Sequence, residues 1–298
     1  METETLPVPG VSAAKSSAAI SNAPGLAREA LNNRYVYVVV SPRAHGLSVG
    51  VNMNPDKRCN FDCVYCEVAR SGFETPHDLN CDAMDVELTR TLALIQAGGL
   101  MDHPAYRHVP RELLKLKHVA LSGDGEPTLA RNFLEIVETV AHVRALSKLP
   151  FYKLVLITNG SHLHEPTVQD GLKLFTAQDE IWIKLDVGNP QDLEHINRTD
   201  VPFERILANI KLVGRDRPIV IQSMFALVDR HPPTGEQIDA FSQRLVELRN
   251  AGAKITLVQI YSPNRPCPHP GVEHLPLRNL SLIAQAVRQA TGLKVEVY

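Results

Sequence analysis

No stretch of this chain approaches the roughly 18 consecutive apolar residues of a membrane-crossing helix, although hydrophobic residues make up 44% of its 298 positions. The N-terminus has no charged segment followed by an apolar run, so no secretion signal is expected. There is no excess of positive charge either, and a net charge of −2 offers no basic footprint for nucleic acid. Cysteine is scarce. Five occur, three of them between positions 59 and 66. An odd count with tight clustering argues against a disulfide framework and for a metal site in a reducing compartment, the cytoplasm being the simplest reading.

Residues 1 to about 33 are rich in Ala, Ser, Pro and Asn and have no sustained period. Such a segment buries too little apolar surface to offset its ordering entropy. Residues 1–33 are therefore expected to form a disordered or weakly ordered tail, with one helical turn near Leu26–Leu31, and residues 34–298 the folded domain. Tyr35–Val40 begins the folded part.

From there short β-branched runs alternate with longer amphipathic stretches. The runs are Leu47–Val51, His118–Ser122, Lys153–Ile157, Ile181–Asp186, Pro218–Phe225 and Ile255–Ile260. Helical periodicity follows at about 82–97, 130–146, 166–176, 203–213, 235–250 and 277–290, and Lys294–Val297 is placed to close the sheet edge. Apolar runs between helices predict parallel strands. Right-handed strand–helix–strand units wind into an α/β fold, a partial (β/α)6 barrel with a mostly parallel sheet. An ordinary nucleotide-binding α/β sheet is the competing architecture. Either fold gathers its chemistry at the carboxyl ends of the strands. Those ends carry the cysteine loop, Ser122-Gly123-Asp124-Gly125-Glu126-Pro127-Thr128, Thr158-Asn159-Gly160, Asp186, and Gln259 with Tyr261.

The cysteine loop reads Cys59-Asn60-Phe61-Asp62-Cys63-Val64-Tyr65-Cys66. Soft thiolates suit Fe–S clusters and zinc. A structural zinc site takes four ligands, often from two separated pairs, and here there is no second pair and no histidine in the loop. Three thiolates suit a cubane with one iron left open, and a zinc site completed from elsewhere is the alternative.

The spacing of these three cysteines, with an aromatic residue before the third, resembles the signature of the radical S-adenosylmethionine superfamily. Gly125-Glu126-Pro127 resembles its second motif. Leu47–Asn52, Ser122–Thr128, Ile157–Gly160, Lys184–Asn189 and Ile196-Asn197-Arg198 resemble the branch related to wybutosine-synthesis Fe–S oxidoreductases. The resemblance runs from about residue 35 to the C-terminus.

It implies a [4Fe–4S] cluster on Cys59, Cys63 and Cys66 that reductively cleaves S-adenosylmethionine to a 5′-deoxyadenosyl radical, fed by an electron donor such as flavodoxin or ferredoxin. Glu126 would meet the methionine ammonium through a charge-assisted bond, with Gly123 and Gly125 letting the backbone approach the ligand. Asn159 and Asp186 are candidates for the ribose hydroxyls or the methionine, or else for helix caps. Arg198 would pair with the methionine carboxylate, and Tyr65 would lie near adenine. Gln222, polar inside an apolar strand, either points into the barrel or bonds to neighbouring backbone. Arg43, His45, Lys57 and Arg58 are candidates for an anionic substrate, and Cys267 for a hydrogen donor or substrate contact. The substrate is expected to be a nucleobase or small molecule. The branch brings tRNA into view, although the chain has no evident RNA-binding appendage. A radical activase or peptide modifier acting on a protein partner is the alternative.

Overall fold

The structure, a computed structural model, describes residues 31–69 and 77–298. The tail expected over residues 1–33, with its helical turn, lies outside the described residues but for its last three positions.

The first two strands, β1 (Val36–Ser41) and β2 (Gly46–Asn52), form an antiparallel hairpin. Next come β3 (Leu116–Ser122), β4 (Lys153–Thr158), β5 (Glu180–Lys184), β6 (Ile219–Met224), β8 (Ile255–Tyr261) and β10 (Val295–Val297), and every one of these pairs in parallel with its neighbour. The sheet order is β1-β2-β3-β4-β5-β6-β8-β10, curled into a half-barrel. Among the described residues, six helices of seven residues or more connect these strands: α1 (Cys81–Gln96), α2 (Phe133–Leu146), α3 (Pro166–Leu172), α4 (Phe203–Asp216), α5 (Gly235–Asn250) and α6 (Leu277–Thr291), with a single turn at Pro190–Asp192 besides. The expected partial barrel is the observed one. Two features go beyond the sequence reading: the β1 hairpin strand, and a small ribbon of β7 (Ala226–Val228) against β9 (Val272–His274).

The two faces of the sheet differ in chemistry, because successive side chains point to opposite sides. Val49, Leu121, Leu156, Ile183 and Ile221 face the helices in one continuous apolar core. Each helix supplies the matching stripe. In α4 it is Phe203, Ile206, Leu207, Ile210 and Val213, all buried at helical spacing. The concave face is mixed. Val155, Trp182 and Val220 form a separate apolar patch there. Register sets Lys184 beside Gln222 and Gln222 beside Gln259 on the same face.

The tip of the β1–β2 hairpin leans across the open side of the half-barrel. There the His45 ring lies 6.2 Å from the Tyr298 ring, and the Arg43 guanidinium sits 4.5 Å from the centre of the Tyr261 ring.

His118 also lies on the concave face, edge-on to Trp182 at 5.3 Å. Burial, helped by Arg43 and Lys153, lowers its pKa to about 3. A histidine held neutral in the fold but titrating normally when unfolded supports stability above its unfolded pKa, and that support is lost as the pH falls toward the folded value. Unfolding free energy should therefore drop by about 1.4 kcal/mol per pH unit below about 6.5 from this side chain. Denaturant melts at pH 5 and 7 should show the drop in the wild type and a smaller one in His118→Phe.

Candidate active site

The cysteine loop leaves the end of β2 and is pinned from two sides. On one side the amides of Asp62 and Val64 donate to the carbonyls of Asn197 (3.1 Å) and Ile196 (2.9 Å), and Thr199 Oγ1 donates to the Asn60 carbonyl at 2.8 Å. On the other, Asn60 bonds to Asn159 Nδ2 at 2.9 Å and to Ser161 Oγ at 3.0 Å. The segment that carries Asn197 is a wide, π-type turn over Leu193–Asn197, which ends at Arg198 in left-handed backbone. Such wide turns cluster at functional sites because they aim side chains that a regular helix would not.

None of the five cysteines is in a disulfide. Amide N–H groups approach the sulfurs of Cys63 and Cys59: Asn197 Nδ2 lies 3.3 Å from Cys63 Sγ, and Phe61 N lies 3.4 Å from Cys59 Sγ, with Asn159 Nδ2 at 3.9 Å. Burial pushes the Cys63 thiol up to about 11 despite the pull of Lys184, so ligation to iron would release a proton. Among the described residues no three Cys, His, Asp or Glu side chains converge on the position of a single metal ion. A cluster makes no such demand, since each thiolate holds a different iron. The buried Oδ1 of Asn197, beside Cys63 and Asp186, has no hydrogen-bond partner among the described residues. Soft donors, amide N–H groups aimed at sulfur and an orphaned buried acceptor together fit an Fe–S cluster with a ligand beside it.

Asp186, two residues beyond β5, is the hub beneath the loop. Its Oδ2 accepts from the Tyr65 hydroxyl and from Asn197 Nδ2 (2.8 Å), and its Oδ1 from the Met224 amide (2.8 Å). Burial and the Asp186 carboxylate hold the Tyr65 phenol well above its usual pKa. The Tyr65 ring lies 5.4 Å from Lys184 Nζ. Burial works against the Lys184 ammonium, but Tyr261, Cys63 and Asp186 outweigh it and hold the pKa above the usual lysine range.

Glu126 is buried, 3% exposed, and is no surface loop acid. Its Oε1 accepts from the Thr128 amide (3.0 Å), Thr128 Oγ1 (2.6 Å) and Thr158 Oγ1 (2.5 Å), and its Oε2 from the Asn159 amide (2.6 Å). It thereby ties the end of β3 to the end of β4. The Glu126 amide donates to the Arg58 carbonyl at 2.9 Å, which brings the start of the cysteine loop against the same turn. The two glycines serve that contact. A Cβ on Gly125 would sit 2.0 Å from the Arg58 oxygen, and one on Gly123, whose φ is +146°, would sit 2.1 Å from Asn52 Oδ1. The close approach they permit is to protein backbone and Asn52.

Cys59, Cys63, Cys66, Tyr65, Gly125, Glu126, Asn159 and Asp186 thus meet at the carboxyl end of the sheet. Arg198 is set apart. Its guanidinium turns outward to His269 Nδ1 (3.1 Å) and Asp62 (3.6 Å) and is half-exposed. Gln222 is fully buried on the concave face and donates to Gln259 Oε1 at 2.8 Å. Arg58 acts through its carbonyl, whereas Arg43 reaches into the barrel. The loop after β8 folds over the cysteine loop. Arg265 pairs with Glu67, Cys267 Sγ lies 3.3 Å from the Tyr65 carbonyl, and His269 Nε2 lies 3.3 Å from Asp62 Oδ1. Asn197 and Lys184 escaped the sequence reading as site residues, although both lie inside stretches that carry the family resemblance.

A curled half-barrel with three thiols on the loop after its first parallel strand defines a class of cluster-binding enzyme, and the sequence profile of the Radical SAM superfamily matches residues 53–225. The chain belongs to that superfamily. Its members use a [4Fe–4S] cluster and S-adenosylmethionine and typically need a reductant such as flavodoxin or ferredoxin, so membership places the chain among enzymes of the Fe–S oxidoreductase type.

A UPF0026 protein of Helicobacter pylori is 28% identical over 180 residues, 60% of this chain and 50% of that protein. The chain thus spans about half the length of that relative. A UPF0026 protein of Synechocystis is 28% identical over 239 residues, covering 78% of this chain and 77% of its own. Among solved structures, TYW1 with a lysine–pyruvate adduct bound aligns at a TM-score of 0.54 and 17% identity, over 84% of this chain and 75% of that one. Streptococcus suis SuiB bound to S-adenosylmethionine aligns at 0.55 and 12%, over 86% and 51%. These likenesses are of fold. Among the described residues, no helix is long and apolar enough to cross a membrane.

Proposed function

We propose that Cys59, Cys63 and Cys66 hold a [4Fe–4S] cluster, that S-adenosylmethionine binds beside it, and that the enzyme acts on a small-molecule substrate inside the half-barrel. The observation that carries this reading is the convergence of the three thiols with Asp186, Asn197 and Glu126 at one end of the sheet. When bound, the cluster supplies one electron to the sulfonium, and cleavage yields methionine and a 5′-deoxyadenosyl radical.

The protein's part is to position and to shield. Asn197 and Asn159 direct amide N–H groups toward sulfur, which favours the thiolate form and tunes the potential. Asp186 fixes Tyr65 and Asn197 in one orientation. Glu126 holds the β3 and β4 ends together, and Oε2, with one donor among the described residues, keeps acceptor capacity for the methionine ammonium. On this reading Asn159, whose amide is fixed by Glu126, and Asp186, which shares Asn197 with Cys63, are further cofactor contacts, together with Tyr65, which is bonded to Asp186. Arg198 could reach a methionine carboxylate only by leaving Asp62 and His269. The folded unit on this reading is residues 34–298, and its setting the cytoplasm.

The loop carrying Arg265, Cys267 and His269 covers the cysteine loop, which favours a small molecule over a tRNA or a protein partner. The test is anaerobic incubation of reconstituted, dithionite-reduced protein with S-adenosylmethionine. 5′-Deoxyadenosine should form. An intact cluster that yields none would rule the radical chemistry out.

A further inference from the structure

We infer that the concave face of the half-barrel binds its substrate through an anionic group, a carboxylate or a phosphate, held between Lys184 and Arg43 on either side of Tyr261. This rests on the reading that the barrel interior is where substrate meets the radical.

The sequence has a net charge of −2, yet two cations face the interior, and among the described residues neither is within ion-pair distance of a carboxylate. Arg43 arrives from the hairpin tip and stacks 4.5 Å from the centre of the Tyr261 ring. Lys184 arrives from the middle of the sheet, beneath the Tyr65 ring at 5.4 Å. The nearby acids have hydrogen-bond or ion-pair partners other than these two cations. Asp186 serves Tyr65, Asn197 and the Met224 amide. Glu180 takes Lys153 and the indole N–H of Trp182, and Glu296 takes Lys294 and Tyr298. Asp186 gives Lys184 one negative neighbour, which leaves a second positive charge on this face for a bound anion to balance.

A second observation points the same way. Gln222, fully buried and next to Lys184 in the sheet register, donates its amide N–H to Gln259 and leaves its Oε1 with no partner among the described residues. An amide with spare capacity beside a cation suits a ligand that carries a hydrogen-bond donor near its charge. Lys184 offers a point cation, and Arg43 adds a planar fork that matches carboxylate or phosphate geometry.

Trp182 makes the site measurable. It is the only tryptophan in the chain and lies two residues from Lys184 on the same face. Its fluorescence in the anaerobic, cluster-loaded protein should change saturably on titration with malonate, with inorganic phosphate, or with both. A response to malonate alone assigns a carboxylate substrate, and one to phosphate alone a phosphate ester. Lys184→Gln and Arg43→Gln should each weaken the response at least tenfold, Lys184→Arg should recover most of it, and the surface control Lys173→Gln should leave it unchanged. Circular dichroism checks that each variant is folded. No saturable response to either anion, or equal affinities in folded Lys184→Gln and Arg43→Gln, would overturn the site and leave Lys184 as a counter-charge to the cysteine loop. Anion binding with no 5′-deoxyadenosine formed would instead overturn the proposed chemistry and leave the anion site standing.

Discussion

Alanine at Cys63 is expected to take the reconstituted protein from about four irons per chain to nearly none and 5′-deoxyadenosine formation to background. Cys63 is the most deeply buried of the three loop thiols, with Asn197 Nδ2 at 3.3 Å. Removing it leaves two thiolates, too few to retain a cubane. The paired control is the double variant Cys81→Ala with Cys267→Ala, which should keep its iron. Cys81 sits at the start of α1, with Asn132 Nδ2 3.6 Å away, and burial with Glu135 pushes its thiol up to about 11. Cys267 lies against the Tyr65 carbonyl, and the nearby histidines are occupied, His269 by Asp62 and Arg198 and His274 by the Pro263 carbonyl. Iron analysis decides it. A full cluster in Cys63→Ala, or about eight irons per wild-type chain with half lost in the double variant, would overturn the single-cluster assignment.

Glu126→Ala should be the more damaging change to the fold. It strips the acceptor from two backbone amides and two hydroxyls inside the protein. Buried donors left unsatisfied cost about 1–3 kcal/mol each. Allowing for water entry, a loss of about 3 kcal/mol, or a fall in Tm of roughly 6–12 °C for a domain of this size, is expected. That complicates any reading of its role toward the cofactor from activity alone. Glu126→Gln keeps the shape and one acceptor oxygen while removing the charge. Its NH2 would face the Asn159 amide, so Glu126→Gln should lose about 1–3 kcal/mol, less than Glu126→Ala. If the carboxylate also meets the methionine ammonium, folded Glu126→Gln should bind S-adenosylmethionine about tenfold or more weakly, in line with about 1.5–3 kcal/mol for a charge-assisted bond. Affinity equal to the wild type in the folded variant would confine Glu126 to tying β3 to β4.

The parallel strands were legible because burial against helices writes long apolar runs. Leu47–Val51, His118–Ser122 and Ile255–Ile260 fall inside β2, β3 and β8 to within two residues. The antiparallel pairing of β1 was not, since Tyr35–Val40 reads as one more apolar run and its turn, Ser41 to Gly46, has no two-residue hairpin signature. The β7–β9 ribbon joins segments more than 40 residues apart through three-residue strands, too short to show a period. At the site, residue types carried the cysteines and the acids. Direction was the harder part. Arg198 looked like the functional member of Ile196-Asn197-Arg198, but the wide turn before it sends Asn197 inward to Cys63 and Asp186 and Arg198 outward to Asp62. A glycine before an acid in a strand-end loop suggests space for a ligand, whereas at Gly125 a contact distant in sequence, the Arg58 carbonyl, fills that space. Lys184 was hidden by its apolar strand, yet a lysine between Ile183 and Leu185 was itself the signal.

The claim that three thiolates leave one iron free for S-adenosylmethionine is tested most directly by electron paramagnetic resonance of the reduced, reconstituted protein before and after the cofactor is added. The account predicts a [4Fe–4S] signal that changes on addition and disappears altogether in Cys63→Ala. A cluster signal that S-adenosylmethionine leaves unchanged, in protein carrying about four irons per chain, would contradict it.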